Sequence, residues 1–166
     1  GVTWSAVEAL NTTYETDGAV VDTSPTIATD KAGVWVCAWE SDNTLGGTIG
    51  SDLAILVSRS TDNGQTGGAP APAKDTADAD GAVIDEKACI IGCANDRFVV
   101  AWQSNDTLGG FFDGAGDIIY AYSEDHGITW IGPSALSVNT FLTNNGPDEN
   151  ISLATDENGT VLAVWD

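Results

Sequence analysis

One spacing constrains this chain more than any other feature: Trp39 in VWVCAWESDNTLGG, Trp102 in RFVVAWQSNDTLGG and Trp165 in TVLAVWD follow one another at 63 residues without a gap. The same frame aligns Gly1, Gly64 and Gly127, pairs Ser60 with Ser123, and sets DGAVVD at 17–22 against DGAVID at 80–85. It also repeats TLGG at 44–47 and 107–110, and IATD at 27–30 as LATD at 153–156. The 166 residues therefore hold about 2.6 copies of one unit, and a tandem unit of this size leaves its faces for neighbouring units to cover.

Within a unit the periodicity is that of strands. TIATD is bounded by Pro25 and the turn DKAG, and VWVCAW is apolar nearly throughout, as a strand covered on both faces requires. LAILVSRS and DIIYAYS follow the Gly-rich TLGG loops, while TWSAVEAL and TWIGPSAL supply a fourth element. Gly, Asn and Asp fill the joins, and no segment has a helical period. The expectation is an all-β chain of four-stranded antiparallel propeller blades, with one strand, then four, four and two. It forms a single partial domain over 1–166, with units at 1–24 (partial), 25–87, 88–150 and 151–166 (partial).

SEDHGITW at 123–130 resembles the Asp box, Ser-x-Asp-x-Gly-x-Thr-Trp, of the bacterial neuraminidase repeat found in sialidases and related propellers. Ser123, Asp125, Gly127, Thr129 and Trp130 match it in full; Ser60, Asp62, Gly64 and Thr66 match it with Gly67 in place of Trp, and GVTW at the N-terminus is the tail of a third copy. The resemblance covers the whole chain through the 63-residue frame. Each residue type also suits a hairpin turn: a short carboxylate collects backbone N–H groups, Gly supplies positive φ, hydroxyls satisfy further polar groups, and the indole tucks between blades. The resemblance implies a peripheral, structural motif remote from any catalytic face.

It also implies a test of chemistry. Sialidases resemble retaining glycosidases, with a Tyr nucleophile assisted by Glu, an Asp acid/base and three arginines that clamp the substrate carboxylate. This chain has two arginines, Arg59 and Arg97, and lacks the [FY]-R-[IL]-P segment; DRFVV at 96–100 is its nearest stretch. Arg59 aligns with Tyr122, and Arg97 with Val34 and Thr160, so the two belong to different parts of the unit. No catalytic residue is assigned, and the expectation leans against catalysis by this chain. The reading is a sialidase-like Asp-box propeller fragment with a binding or structural role toward glycans. Its alternative is a fragment of a secreted exo-sialidase-type glycoside hydrolase whose active site is incomplete here.

Charge narrows the partners. Asp and Glu number 25 against five Lys and Arg, a formal net charge of −20, which repels nucleic-acid phosphates and anionic membranes. No apolar run of membrane-spanning length and no signal-peptide pattern is present. Cys37, Cys89 and Cys93 lie in apolar runs without CxxC spacing, and read as small buried hydrophobes rather than a disulfide or zinc framework. The absence of Met fits a chain cut from a longer, secreted or cell-surface protein.

Several residues are candidates for ligand contact. Phe111 and Phe112, in TLGGFFDGAGD, offer rings to a sugar, and Arg59 and Arg97 offer charge. DTADADGAVIDE at 75–86 resembles an EF-hand loop but places Thr76 first and Lys87 twelfth, so no cofactor is expected beyond weak Ca²⁺ binding at Asp78, Asp80 and Asp85. His126 occupies a variable position of the Asp box, opposite Asn63, and reads as a polar hairpin tip. Uncovered blade faces lead to an expectation of self-association, as a homodimer or closed ring.

Overall fold

The computed structural model describes residues 6, 8–74, 81–112, 114–137, 146–156 and 158–166. They form three antiparallel sheets and no helix. The first contains β1 (Asp22–Thr29), β2 (Trp35–Ser41), β3 (Ala54–Ser60) and β4 (Ala71–Pro72) in that order. The second repeats it with β5 (Asp85–Gly92), β6 (Phe98–Ser104), β7 (Asp117–Ser123) and β8 (Ile131–Ala135). The third pairs β9 (Ser152–Thr155) with β10 (Val161–Val164). Of the further strand expected over TWSAVEAL at 3–10, residues 3–5 and 7 lie outside the described residues, and 6 and 8–10 are not strand.

The repeat frame survives in three dimensions. Asp22, Trp35 and Ala54 open β1, β2 and β3, and Asp85, Phe98 and Asp117, each 63 residues on, open β5, β6 and β7. Even the irregularity is copied: the β1–β2 register slips between Thr23 and Thr26, and the β5–β6 register between Glu86 and Cys89. Ser24 and Lys87 sit in these bulges with φ of 52° and 56°. A bulge turns a backbone N–H out of its ladder, and that of Lys87 is accepted by Glu40 Oε1 of the preceding sheet at 2.7 Å.

The sheets stack through their alternating faces. Side chains of a strand point to opposite sides at successive residues, so Val36 and Ala38 of β2 and Ile55 and Val57 of β3 share one face. They meet Ile90, Phe98, Val100, Trp102, Ile119 and Ala121 of the second sheet in the main core. Phe98 and Trp102 are fully buried there. The opposite face of the second sheet, with Ala101, Ile118 and Tyr120, packs on Ile151, Leu153 and Ala163. Strands β1, β5 and β9 are neighbours along one edge of this stack. At Gly92 a Cβ would strike the Thr29 carbonyl, so only glycine lets β5 pass β1 so closely.

Cys37 and Cys93 are buried and Cys89 half-buried, and all three are free thiols. Burial pushes the Cys37 thiol up to about 11, so it stays protonated and packs as an apolar group.

Candidate functional site

Connectivity divides the candidate residues between two ends of the stack. The β1–β2, β3–β4, β5–β6 and β7–β8 turns share one end, here the hairpin end; the β2–β3 and β6–β7 loops share the other.

At the hairpin end both Ser-x-Asp-x-Gly-x-Thr stretches fold alike. In the first, the Ser60 hydroxyl donates to Asp62 Oδ1 at 2.7 Å and accepts the Gly64 N–H at 3.0 Å. Asp62 Oδ1 accepts the Gln65 and Thr66 N–H groups, and Oδ2 accepts the Thr66 hydroxyl at 2.7 Å. The second copy repeats each bond among Ser123, Asp125, Gly127, Ile128 and Thr129. Asn63 and His126 both adopt φ of 60°, followed by Gly64 and Gly127 at 78°. The Thr66 hydroxyl, then the Ser60 hydroxyl and backbone N–H groups, hold the Asp62 carboxyl at about 2. For Asp125 burial acts upward, but bonds from Thr129, Ser123 and Ile128 outweigh it and give about 2. Both carboxylates are thus held by their own turn and stay ionised at neutral pH.

The two copies differ at their last position for a packing reason. Trp130 packs, half-buried, against the main core. At Gly67 the Leu10 backbone occupies the space a Cβ would need. Ser58 Oγ donates to the Leu10 carbonyl at 2.9 Å and Thr12 N–H to the Gly68 carbonyl at 3.3 Å, so residues 10–12 cover the turn that an indole covers in the second copy.

Both arginines reach the second hairpin. Arg59 Nε, from β3 of the first sheet, donates to the His126 carbonyl at 2.7 Å. Arg97, in the β5–β6 turn, pairs with Glu124 at 2.9 Å on the exposed surface. They approach residues 124 and 126 from two sheets, and each is spent on a protein acceptor rather than turned toward a common cavity. His126 is more than a hairpin tip: its Nδ1 lies 3.0 Å from Asp30 Oδ2 and its Nε2 3.4 Å from Asp96 Oδ2. The 63-residue frame concealed this trio: Asp30 recurs as Asp156 but meets Cys93 in the second unit, and Asp96 and His126 stand opposite Gly33 and Asn63.

At the opposite end the paired phenylalanines separate. Each loop is shaped by Leu-Gly-Gly at positive φ, Leu45–Gly47 and Leu108–Gly110. Beyond it Phe112 is buried in the main core and Phe111 is 54% exposed. Their rings meet edge to face at 5.2 Å, so Phe112 braces its neighbour but cannot itself stack on a ligand.

Asp85, weighed as a calcium ligand, is fully buried, and its Oδ2 lies 2.6 Å from the equally buried Lys74 ammonium. Oδ1 accepts the Ser104 hydroxyl at 2.6 Å. Burial pushes its carboxyl up, while the Lys74 charge draws it back. The Lys74 ammonium lies against the Asp85 oxygen that a cation would approach; Asp78 and Asp80 lie outside the described residues.

No protein-family model matches the sequence, and no curated protein matches it. Among solved structures the chain is similar to a Hadza microbial sialidase, with a TM-score of 0.54 and 19% identity over 77% of this chain. What the two share is the fold. This chain spans 28% of that sialidase's length. A further similarity is to a family 117 glycoside hydrolase produced by the marine bacterium Zobellia galactanivorans, at a TM-score of 0.44, 14% identity, 70% of this chain and 38% of that one. No helix of the described residues is long and apolar enough to cross a membrane.

Proposed function

We propose that this chain is an Asp-box, sialidase-like β-propeller unit that binds glycans without cleaving them. On this reading the two four-stranded sheets are successive blades, β9 and β10 begin a third, and the Ser-x-Asp-x-Gly turns are Asp boxes. The observation that carries the non-catalytic part is the fate of the arginines. Both are engaged at the hairpin end, by the His126 carbonyl and by Glu124, whereas a sialidase clamp needs three guanidinium groups free to face one carboxylate. The glycan part rests on Phe111, an exposed ring held in place by the buried Phe112 at the end opposite the hairpins. A rigid exposed aromatic is a stacking platform whose ordering cost is already met in the free protein.

The second reading, a secreted exo-sialidase-type hydrolase whose site is incomplete in this chain, draws on the fold shared with a sialidase. A fluorogenic sialoside assay run beside a glycan array separates the two. Array binding without turnover, reduced by Phe111→Ala, supports the binding reading; turnover of the sialoside overturns it.

Self-association belongs to the same proposal. Val164 and Trp165 are 57% and 38% exposed at the end of the two-stranded sheet, while their repeat counterparts Ala101 and Trp102 are fully buried. An apolar edge of this kind is suited to pairing with another copy, as a homodimer or closed ring. Light scattering that finds a monomer at micromolar concentration counts against it. The propeller reading also carries an extracellular or cell-surface setting.

A further inference from the structure

Asp30, Asp96 and His126 come from three turns of two sheets, yet their ligand atoms lie within 4.8 Å of one another. The Asp30 side chain is 1% exposed. Its Oδ1 accepts the Ala32 and Val34 N–H groups at 2.8 and 3.0 Å, which fixes the carboxylate and aims Oδ2 at His126 Nδ1. The imidazole is fixed from its backbone as well: the His126 N–H donates to the Asp96 carbonyl at 2.8 Å, and its carbonyl accepts Arg59 Nε.

These bonds decide what the other ring nitrogen can do. A carboxylate on Nδ1–H selects the tautomer whose Nε2 carries a lone pair, the arrangement by which protein carboxylates orient metal-binding imidazoles. That lone pair faces Asp96 Oδ2, a second acceptor, at 3.4 Å. The two groups can be joined by a proton on Nε2 or by a metal ion in that proton's place. Ligand bonds of about 2.1 Å around a tetrahedral ion place neighbouring donor atoms roughly 3.4 Å apart. Both groups are open to solvent, at 37% and 52% exposure, so water can complete the coordination.

We propose that His126 Nε2 and Asp96 Oδ2 form a binding site for a divalent transition-metal ion of the zinc type, with Asp30 as the positioning residue that orients the imidazole. An imidazole with one carboxylate favours zinc over the all-oxygen ions calcium and magnesium. Asp30 belongs to the first sheet and Asp96 and His126 to the second, so the bond that orients the imidazole crosses between the sheets. Of the neighbouring cations, Arg97 is paired with Glu124 and Arg59 is bound to the His126 carbonyl.

The chain has a single histidine, so its imidazole proton resonances report on this site alone. In a zinc titration followed by proton NMR these resonances should shift or broaden, and magnesium or calcium at the same concentration should leave them in place. Asp96→Asn should raise the zinc midpoint at least as much as Asp30→Asn, for which loss of an orienting carboxylate costs about 10-fold. His126→Asn restores the residue found at the equivalent Asn63, and so retains the turn; it should abolish any zinc-induced rise in Tm. Imidazole resonances that ignore zinc, an unchanged midpoint in Asp96→Asn, or a Tm rise that persists in His126→Asn would each overturn the proposal, the last by placing the ion on other carboxylates.

Discussion

Arg59 Nε lies 2.7 Å from the carbonyl oxygen of His126, and this bond ties β3 of one sheet to the hairpin that closes the next. The same approach is seen at Gly127, where a Cβ would press on Val36 Cγ2 of the first sheet. The hairpin is therefore a docking element between sheets, and its internal bonding keeps it rigid enough to serve as one. Removing a charged donor from a bond of this kind costs about 1.5–3 kcal/mol. Arg59→Ala should lower the unfolding free energy by that amount in urea denaturation at unchanged m-value; a loss under about 0.5 kcal/mol, typical of an exposed ion pair, would show that the bond does not hold the sheets together.

Burial sets apart two tryptophans that are equivalent in sequence. Trp102 is fully buried in the main core and Trp165 is 38% exposed. Trp102→Ala should cost about 3–5 kcal/mol, while Trp165→Ala costs less than about 1 kcal/mol. Equilibrium denaturation of the two variants checks the contrast, and equal losses would contradict the packing described.

The Lys74–Asp85 pair makes a prediction of sign. Breaking a buried ion pair leaves one charge uncompensated and costs about 3–5 kcal/mol, whereas replacing both partners by apolar groups is much less costly. Lys74→Met should be severely destabilised, and the double variant Lys74→Met with Asp85→Leu should recover most of that loss. A double-mutant cycle without coupling would refute the pairing.

Acid should unlock the hairpins. Asp62 and Asp125 have carboxyl values of about 2 in the folded chain, below the ordinary value of 3.8 for the unfolded state. A depressed folded value adds stability above the unfolded one and loses it as the pH falls through the folded one. The stability gap between the parent chain and Asp125→Asn should therefore be constant above about pH 5 and shrink between about pH 4 and 2. A gap that grows on acidification would reverse the sign of the linkage.

Much of the architecture was legible because repetition exposes it. Trp39 with Trp102, Gly64 with Gly127 and Ser60 with Ser123 could be aligned before any strand was assigned, and β1, β2 and β3 recur as β5, β6 and β7 in that frame. What lay outside the frame was harder to read. Phe111 and Phe112 are identical in type and adjacent, and nothing in their neighbours says which one the loop buries. Asp85 looked like one acid in an acidic loop until Lys74, eleven residues earlier in the sequence, was found against it. Gly67 read as a damaged motif, although the Leu10 backbone fills the position where the indole would lie. The His126 trio was invisible for the opposite reason: Asp30 recurs in the frame as Asp156, but Asp96 and His126 stand opposite Gly33 and Asn63, so comparing like positions never brings the three together.

The sequence by itself determined the all-β class, the 63-residue period, the bonding of the hairpin turns and the supply of two arginines to this chain. Those properties depend on residue type and local spacing: period-two burial makes strands, and a short carboxylate collects nearby N–H groups. Only the tertiary structure decided that Arg59 grips His126, that Lys74 neutralises Asp85, and that His126 stands between Asp30 and Asp96. These contacts join residues 67, 11, 96 and 30 positions apart. Their geometry is set by the stacking of whole sheets, which moves side chains by many ångströms without altering any local pattern.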